Sequence, residues 1–417
     1  RRRCYHPPTR LRQAQADTPT ILSRIFITGM GVISAIGNSV AENHQSLKNA
    51  TCGVSKEFDL FPTKYAGLLP FGQVPISTED LQKQLLVNDP GVTRTTLLAL
   101  HALNEAIADC GISAEEIQSF DTALIGANTV GGMCLTDELY NDANEKTDGS
   151  DYLASYDCAS VNLYLQKHFK IKGVINTINT ACSSSANAIM YGAMLMKNGY
   201  AKRAIVGGTD CLAKFTINGF NALHILSSDN CTPFDEGRKG LNLGEGAAFL
   251  ILEKEEDIKG RKVYAELTGY SNANDAYHPS SLSDEGDGPF LSMQGALKVA
   301  NLTADKIDFI NAHGTGTENN DEVESKAMIR LFDKPPAFAS TKGNIGHTLG
   351  ASGAIEAVYS ILSLIHQEVY ANLHFKNTIP STGLTPVQSY TKMPVNHIMS
   401  NSFGFGGNCS SLIFSKV

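Results

Sequence analysis

The chain has 417 residues, 42% of them hydrophobic and 18% charged, with a net charge of −8 and a pI near 5.8. That length and balance suit two or three structural units around a large core, and the acidic charge without a basic face argues against nucleic-acid binding. Nine cysteines, an odd number with no CxxC and no metal spacing, fit reduced cytoplasmic thiols better than disulfides or zinc, and no run approaches the ~18 apolar residues of a membrane span.

Residues 1–22 carry Arg1, Arg2, Arg3, Arg10 and Arg12 with no acid before Asp17. Without an apolar segment they are not a secretory signal. The Arg-rich start has some transit-peptide character but no serine before Ser23, and the segment is expected to be a disordered extension. The fold is expected to begin at Ser23, where an apolar strand enters Gly29-Met30-Gly31. The third glycine of a dinucleotide fingerprint is absent (Ser34 stands there), so that motif is rejected. Helices are expected at Ser39–Leu47 and Thr93–Cys110, and strands at Ala123–Gly126, Val174–Ile178, Arg203–Gly207 and Ala247–Leu252. This alternation indicates an α/β fold with buried sheets.

Cys182 lies in Asn179-Thr180-Ala181-Cys182-Ser183-Ser184-Ser185, between the Val174–Ile178 strand and a segment of helical length that is small or apolar on nearly every face. A helix apolar all round is a buried one. The positive end of that helix is expected to lower the thiol pKa, and its N–H groups could hold an oxyanion. A small buried hydrophobe is the competing reading at this point.

Near Arg261 the pattern restarts, after the charged stretch Glu253–Arg261 that marks the best boundary. The expected units are thus 23–255 and 256–417. Strands are expected at Val263–Tyr270, Lys306–Asn311, Pro336–Ala339, His397–Asn401 and Ser411–Phe414, with helices at Leu291–Ala300, Asn320–Leu331 and Ala351–His366. Phe120–Thr129 and Ile307–Gly316 occupy similar places in the two halves, which suggests a structural duplication.

Two histidines fall just beyond expected strands, in Asn311-Ala312-His313-Gly314-Thr315-Gly316-Thr317 and Lys342-Gly343-Asn344-Ile345-Gly346-His347. Parallel α/β sheets bind ligands at that end. Either alone could be an idle loop residue. The other histidines lack such settings, and His101, His224 and His366 read as packing residues within helices. Glu356, in an otherwise small and apolar helix, needs a partner, and Lys342 is a plausible one. Asn401-Ser402-Phe403-Gly404-Phe405-Gly406-Gly407-Asn408 suits either a bent loop with an oxyanion donor and an aromatic gate, or a bulge or hairpin turn.

Taken together, Thr180-Ala181-Cys182-Ser183-Ser184, the His313 and His347 motifs and the Phe403–Gly407 loop resemble those of the β-ketoacyl-[acyl carrier protein] synthases of the I/II type. Thr232-Pro233-Phe234-Asp235, Leu243-Gly244-Glu245-Gly246-Ala247 and Asp275-Ala276-Tyr277-His278 support the likeness, which runs in family order over about residues 23–417. The resemblance implies a thiolase-like fold, two similar α/β halves in a five-layered αβαβα arrangement, usually as a homodimer. It implies decarboxylative Claisen condensation with Cys182 as acyl acceptor and His313 and His347 as donors to the malonyl thioester. Lys342 would support the site electrostatically, with Glu356 orienting it. The N–H groups of Cys182 and Phe405 would hold the oxyanion, and Phe405 would gate the second substrate. Thr315, Thr317, Val130 and Phe403 would contact substrate. No metal or organic cofactor is implied, because the phosphopantetheine arrives on the acyl carrier protein.

The chain departs from the family pattern at Arg238-Lys239-Gly240-Leu241, at Val174, at Asn344-Ile345 and at Asn408-Cys409. These leave the catalytic groups in place and leave substrate and pathway open between fatty acids and specialised polyenes or polyketides. The nucleophile argues against an inactive chain-length-factor subunit. The alternatives are a CoA-using thiolase, for which Cys409 lacks the right setting, and a non-catalytic subunit in a heterodimer with a related synthase.

Overall fold

A computed structural model describes residues 23–89, 91–150 and 152–417. The expected extension at 1–22 lies outside the described residues. Ten strands form the central β-structure: β1 Ile25–Ser34, β2 Thr122–Ala127, β3 Ile175–Ile178, β4 Arg203–Asp210, β5 Gly246–Lys254, β6 Ala265–Asn274, β7 Phe309–Asn311, β8 Ala337–Ala339, β9 His397–Phe403 and β10 Asn408–Ser415. Their spatial order is β8-β7-β9-β10-β6-β1-β5-β4-β2-β3.

Read outward from the centre, the first half runs β1-β5-β4-β2-β3 and the second β6-β10-β9-β7-β8. The two orders are the same permutation of five consecutive strands, and the parallel pairings match as well: β2 with β3 and β4, β7 with β8 and β9. The duplication suggested by two short segments is therefore present in the topology. The halves meet edge to edge only through Phe26↔Glu266 and Ile27↔Ala265.

Helices Ser184–Lys197 and Ser352–His366 pack on each other between the two sheets, while Arg94–Cys110 covers the first half and Asp287–Ala300 with Glu318–Leu331 the second. This is the five-layered arrangement expected. The middle helices approach closely: a Cβ at Gly353 would lie 2.7 Å from Ala186 N, and Ala354 N donates to Ser185 Oγ at 2.9 Å.

Local chemistry explains the main elements. Thr93 caps Arg94–Cys110 by accepting from Thr96 N, and Gly111 in the left-handed region ends it; such an N-cap contributes ~1 kcal/mol. β1 is buried along its whole length. Its glycines serve helix packing, since a Cβ at Gly31 would come within 2.1 Å of Ala102 O and one at Gly29 within 2.5 Å of Cys110 Cβ. Glu253, placed by the sequence in a boundary stretch, ends up buried in β5, paired with Arg203 at 2.6 Å and Arg261 at 2.9 Å. Leu349–His366 does have the length and mean hydropathy (1.3) of a membrane span, contrary to the sequence expectation, but 89% of it is buried inside the fold.

Candidate active site

The strand ends of both halves open into one cleft of about 420 Å³, lined by Cys182, His313, Thr315, Thr317, His347, Phe403 and Phe405 among others. Cys182 follows β3 at a tight turn: Ala181 has φ of 53°, and the helix begins at Ser184. Ser184 Oγ fixes the turn by accepting from Thr180 N at 2.8 Å and donating to Ala181 O at 2.5 Å. Cys182 is thus held by a strained, doubly bonded elbow; a non-glycine left-handed residue costs on the order of 1 kcal/mol.

The thiol pKa departs from the sequence expectation. Burial of Cys182 pushes it up to about 11, against the lowering effects of Lys342 and of the backbone N–H groups of Phe405 and Cys182 itself. Desolvation outweighs the helix end because the charged form loses its water. The same two N–H groups converge on the sulfur, where an oxyanion-binding pair is needed. Gly404 makes this approach possible: a Cβ there would stand 2.6 Å from Thr180 O and 3.2 Å from Cys182 N.

His347 Nε2 lies 3.0 Å from Cys182 Sγ. Its Nδ1 faces the N–H of Leu349 at 3.2 Å, and an N–H can only donate, so Nδ1 accepts and the proton sits on Nε2. His313 reaches the same state by another route. The Lys342 ammonium stands 3.3 Å from His313 Nδ1, again leaving Nε2 as the N–H. Burial and Lys342 hold both imidazoles well below their ordinary pKa, and His347 adds to the effect on His313. The site therefore presents two neutral Nε2–H donors, with ring centroids 5.4 Å apart.

Lys342 is itself fixed by His313 O at 2.6 Å and Glu356 Oε1 at 2.5 Å. Burial raises the Glu356 pKa against the pull of Lys342. Thr315 and Thr317 share a hydroxyl hydrogen bond of 2.8 Å at the cleft wall. Phe403 packs 5.8 Å from the His313 ring, and Phe405 stacks on Phe220 at 6.0 Å. Val130 is the exception among the expected substrate contacts. It is buried in an apolar cluster with Phe71, Leu212, Leu241, Leu243 and Leu349, behind the cleft wall rather than lining it.

Three residues escaped the sequence reading. Phe220 carried no signal. Glu324 accepts the N–H groups of His313 and Gly314, each at 2.9 Å, and burial raises its carboxyl to about 7; a second acid three residues after Asp321 on one helix face was the available clue. His224, expected to pack within a helix, instead follows helix Lys214–Ala222 with φ of 56° and lies exposed at the cleft mouth. Cys409 is buried outside the cleft, its thiol pKa driven up by burial.

Cys182 Sγ and one nitrogen of each histidine lie within 4.8 Å of one another, a donor set of zinc type by composition. The Lys342 cation beside His313 opposes a metal ion there. What the arrangement can do is accept an acyl group on sulfur and stabilise negative charge on two oxygens, one at the N–H pair and one at the histidines.

Comparison with known proteins agrees with this geometry. The chain matches the models of the β-ketoacyl synthase N-terminal domain over residues 22–258 and C-terminal domain over 264–376. It is similar to 3-oxoacyl-[acyl-carrier-protein] synthase 2 of Vibrio harveyi, 31% identical over 94% of this chain and 99% of that protein. It is 29% identical to the mitochondrial 3-oxoacyl-[acyl-carrier-protein] synthase of Arabidopsis thaliana, over 94% and 93% of the two chains. A solved structure, the ishigamide ketosynthase/chain length factor, aligns with a TM-score of 0.88 at 27% identity, covering 95% of this chain and 99% of that one. The chain belongs to the β-ketoacyl synthase family.

Proposed function

We propose that the protein is a β-ketoacyl-[acyl carrier protein] synthase, an acyltransferase that condenses an acyl thioester with malonyl-acyl carrier protein. The observation that carries this reading is the convergence of one buried thiol, two neutral Nε2–H imidazoles and two backbone N–H groups in a single cleft.

In the first half-reaction Cys182 sulfur attacks the acyl carbonyl. Its proton leaves with the departing pantetheine thiol, so no charge accumulates in the cleft. The Cys182 and Phe405 N–H groups hold the tetrahedral oxyanion. In the second, the malonyl thioester carbonyl lies between His313 and His347. Its C–C bond to the carboxylate breaks, CO2 departs, and the electron pair becomes an enolate held by the two Nε2–H donors. The enolate carbon attacks the acyl group, the C–S bond to Cys182 breaks, and the thiolate takes up one proton. A preorganised donor of this kind is worth ~2.7–4 kcal/mol in the transition state. Neutral imidazoles suit the task because the cleft already holds one buried cation, Lys342.

The reading needs no metal or resident cofactor, since the pantetheine thiol travels on the carrier protein. A dimer is part of it. β3 is an edge strand with half-exposed side chains, and the flanking helices turn Leu163 and Met194 to solvent. Such an edge is a template for strand pairing. A second copy of this chain is the partner we assign, and a related subunit, as in the ketosynthase/chain length factor, is the other. The eight described cysteines are all free, which fits a reducing compartment, and we assign the cytoplasm. A mitochondrial location, as named for the Arabidopsis relative, is the rival, decided by imaging the tagged protein.

The test is mass spectrometry of Cys182 after exposure to a panel of acyl carrier proteins, followed by malonyl-acyl carrier protein. The expected result is a thioester on Cys182 and release of CO2 with a 3-oxoacyl product. Sedimentation of the same sample reads the dimer.

A further inference from the structure

Among the buried acids to which the condensing reaction gives no role is Asp210. Asp210 ends β4 beneath the cleft and is completely buried. Its carboxylate accepts from Thr129 N at 3.0 and 3.1 Å, Thr129 Oγ1 at 2.7 Å, Val130 N at 2.9 Å and Gly350 N at 2.7 Å. The donors belong to two different loops. Thr129 and Val130 follow β2 in the first half. Gly350 belongs to the turn Leu349–Ala351 that follows His347 in the second.

Each loop carries something the reaction uses. Leu349, in the left-handed region at φ of 51°, aims its N–H at His347 Nδ1 and so sets the tautomer of the donor. Val130 and Leu349 then meet in one apolar cluster with Leu241, which lines the cleft. Leu241 and Cys182 line the same cleft, so an acyl chain on Cys182 would meet the cluster at Leu241. There is little room for an alternative arrangement, because a Cβ at Gly350 would lie 2.8 Å from Asp210 Oδ2 and one at Gly208 would lie 2.9 Å from Gly350 O. A buried carboxylate satisfied only by N–H groups and one hydroxyl is costly to keep, so its position between the two loops calls for an explanation.

We propose that Asp210 is a positioning residue that couples the apolar cluster at Val130, behind the cleft wall, to the orientation and tautomer of His347. It touches neither substrate. It makes the two loops one mechanical unit, so that the length of acyl chain accepted and the decarboxylation donor are set by the same carboxylate. The inference rests on the condensing reaction proposed above.

The experiment compares wild type, Asp210→Asn and Thr129→Val for three properties: thermal unfolding, the acyl lengths loaded on Cys182 across a carrier-protein panel, and kcat and KM for malonyl-acyl carrier protein. Asp210→Asn places an amide NH2 against donor N–H groups. It should lower kcat at least about tenfold with KM changed less than about threefold, and alter the acyl-length profile. Thr129→Val removes only the hydroxyl on the wall side. It should shift the acyl-length profile and, through the shared carboxylate, also lower kcat at least about threefold. If Asp210→Asn does not fold, Thr129→Val alone decides the question. Wild-type kcat in either variant, or an unchanged acyl-length profile in Thr129→Val, overturns the coupling. Failure of the wild-type enzyme to condense at all would instead count against the proposed function.

Discussion

Lys342 and Glu356 offer a way to separate stability from catalysis. Their side chains are each 2% exposed and meet at 2.5 Å, and Glu356 Oε2 has no hydrogen-bond partner among the described residues. Lys342→Met leaves the carboxylate uncompensated in the core, a loss of about 3–5 kcal/mol. Burial already raises the Glu356 pKa and Lys342 opposes that rise, so removing Lys342 raises it further. The penalty is then largest at high pH and shrinks as pH falls through the raised value, where the group is neutral. In Lys342→Met/Glu356→Leu both charges are gone, and stability should return to within ~1–2 kcal/mol of wild type. Activity should not return. His313 Nδ1 has lost the ammonium that fixes its tautomer, and Cys182 has lost the cation that restrains its thiol pKa. Iodoacetamide labelling of Cys182 should slow tenfold for each unit its pKa rises. The assays are urea unfolding at two pH values, labelling rate and condensation rate on the three variants. A double variant that condenses at the wild-type rate would reduce Lys342 to a structural role. A single variant as stable as wild type would refute the argument from the buried charge.

Other consequences can be measured directly. His313→Ala and His347→Ala should each slow malonyl decarboxylation about 10²–10³-fold while Cys182 still alkylates, and undiminished decarboxylation would remove them as donors. Both imidazoles lie well below their ordinary pKa, so the neutral donors persist through pH 6.5 and are lost only at lower pH. The decarboxylation rate should accordingly stay flat from about pH 8 to 6, and an acid limb centred near 6.5 would contradict neutral donors. Gly404→Ala should depress kcat for condensation about 10²-fold by pushing the Phe405 N–H off the oxyanion position; a normal kcat would mean that the loop shifts at no cost. Phe220→Ala removes the stacking partner of Phe405, worth about 0.5–1.5 kcal/mol. It should change KM for malonyl-acyl carrier protein more than it changes acyl loading, and equal effects on the two would argue against a gate.

The sequence was most legible where chemistry is local. β2, β3, β4 and β5 fall within three residues of the expected spans because apolar runs bounded by turn residues mark them, whereas β1 runs on to Ser34 through the glycines expected to turn it. The site motifs were visible because Gly, Thr and His cluster just beyond strands. Helix Thr136–Glu145 was not visible; it buries none of its side chains and so shows little apolar stripe. The Cys182 thiol went the other way from expectation because burial is a tertiary quantity, and a helix end seen in sequence says nothing about the water around the sulfur. Val130 is a similar case: its loop was legible, its burial in the apolar cluster behind the cleft wall was not. Asp210 and Glu324 act on backbone N–H groups, and that kind of partner has no side-chain signature in sequence.

In the reaction proposed above, the duplication places the groups that serve the two substrates in different halves. In each half the third strand runs into a turn and then into a middle-layer helix. In the first half that turn holds Cys182, after β3 and before Ser184–Lys197; in the second it holds Lys342 and His347, after β8 and before Ser352–His366. The second strands correspond too. The turn after β2 carries Thr129 and Val130, and the turn after β7 carries His313 and Thr315. Because the two middle helices pack against each other, their leading turns face one cleft from opposite sides. Equivalent backbone positions thus hold the acyl acceptor on one side and the enolate donors on the other. That geometry also explains why His347 does not need to serve as the base for Cys182, despite a 3.0 Å contact. Its Nδ1 is occupied by Leu349 N–H from its own half, which leaves Nε2–H to donate into the cleft. A base at that position would require the opposite tautomer and would strip the second substrate of one of its two donors. The duplicated turn therefore assigns the proton to the malonyl reaction before either substrate arrives.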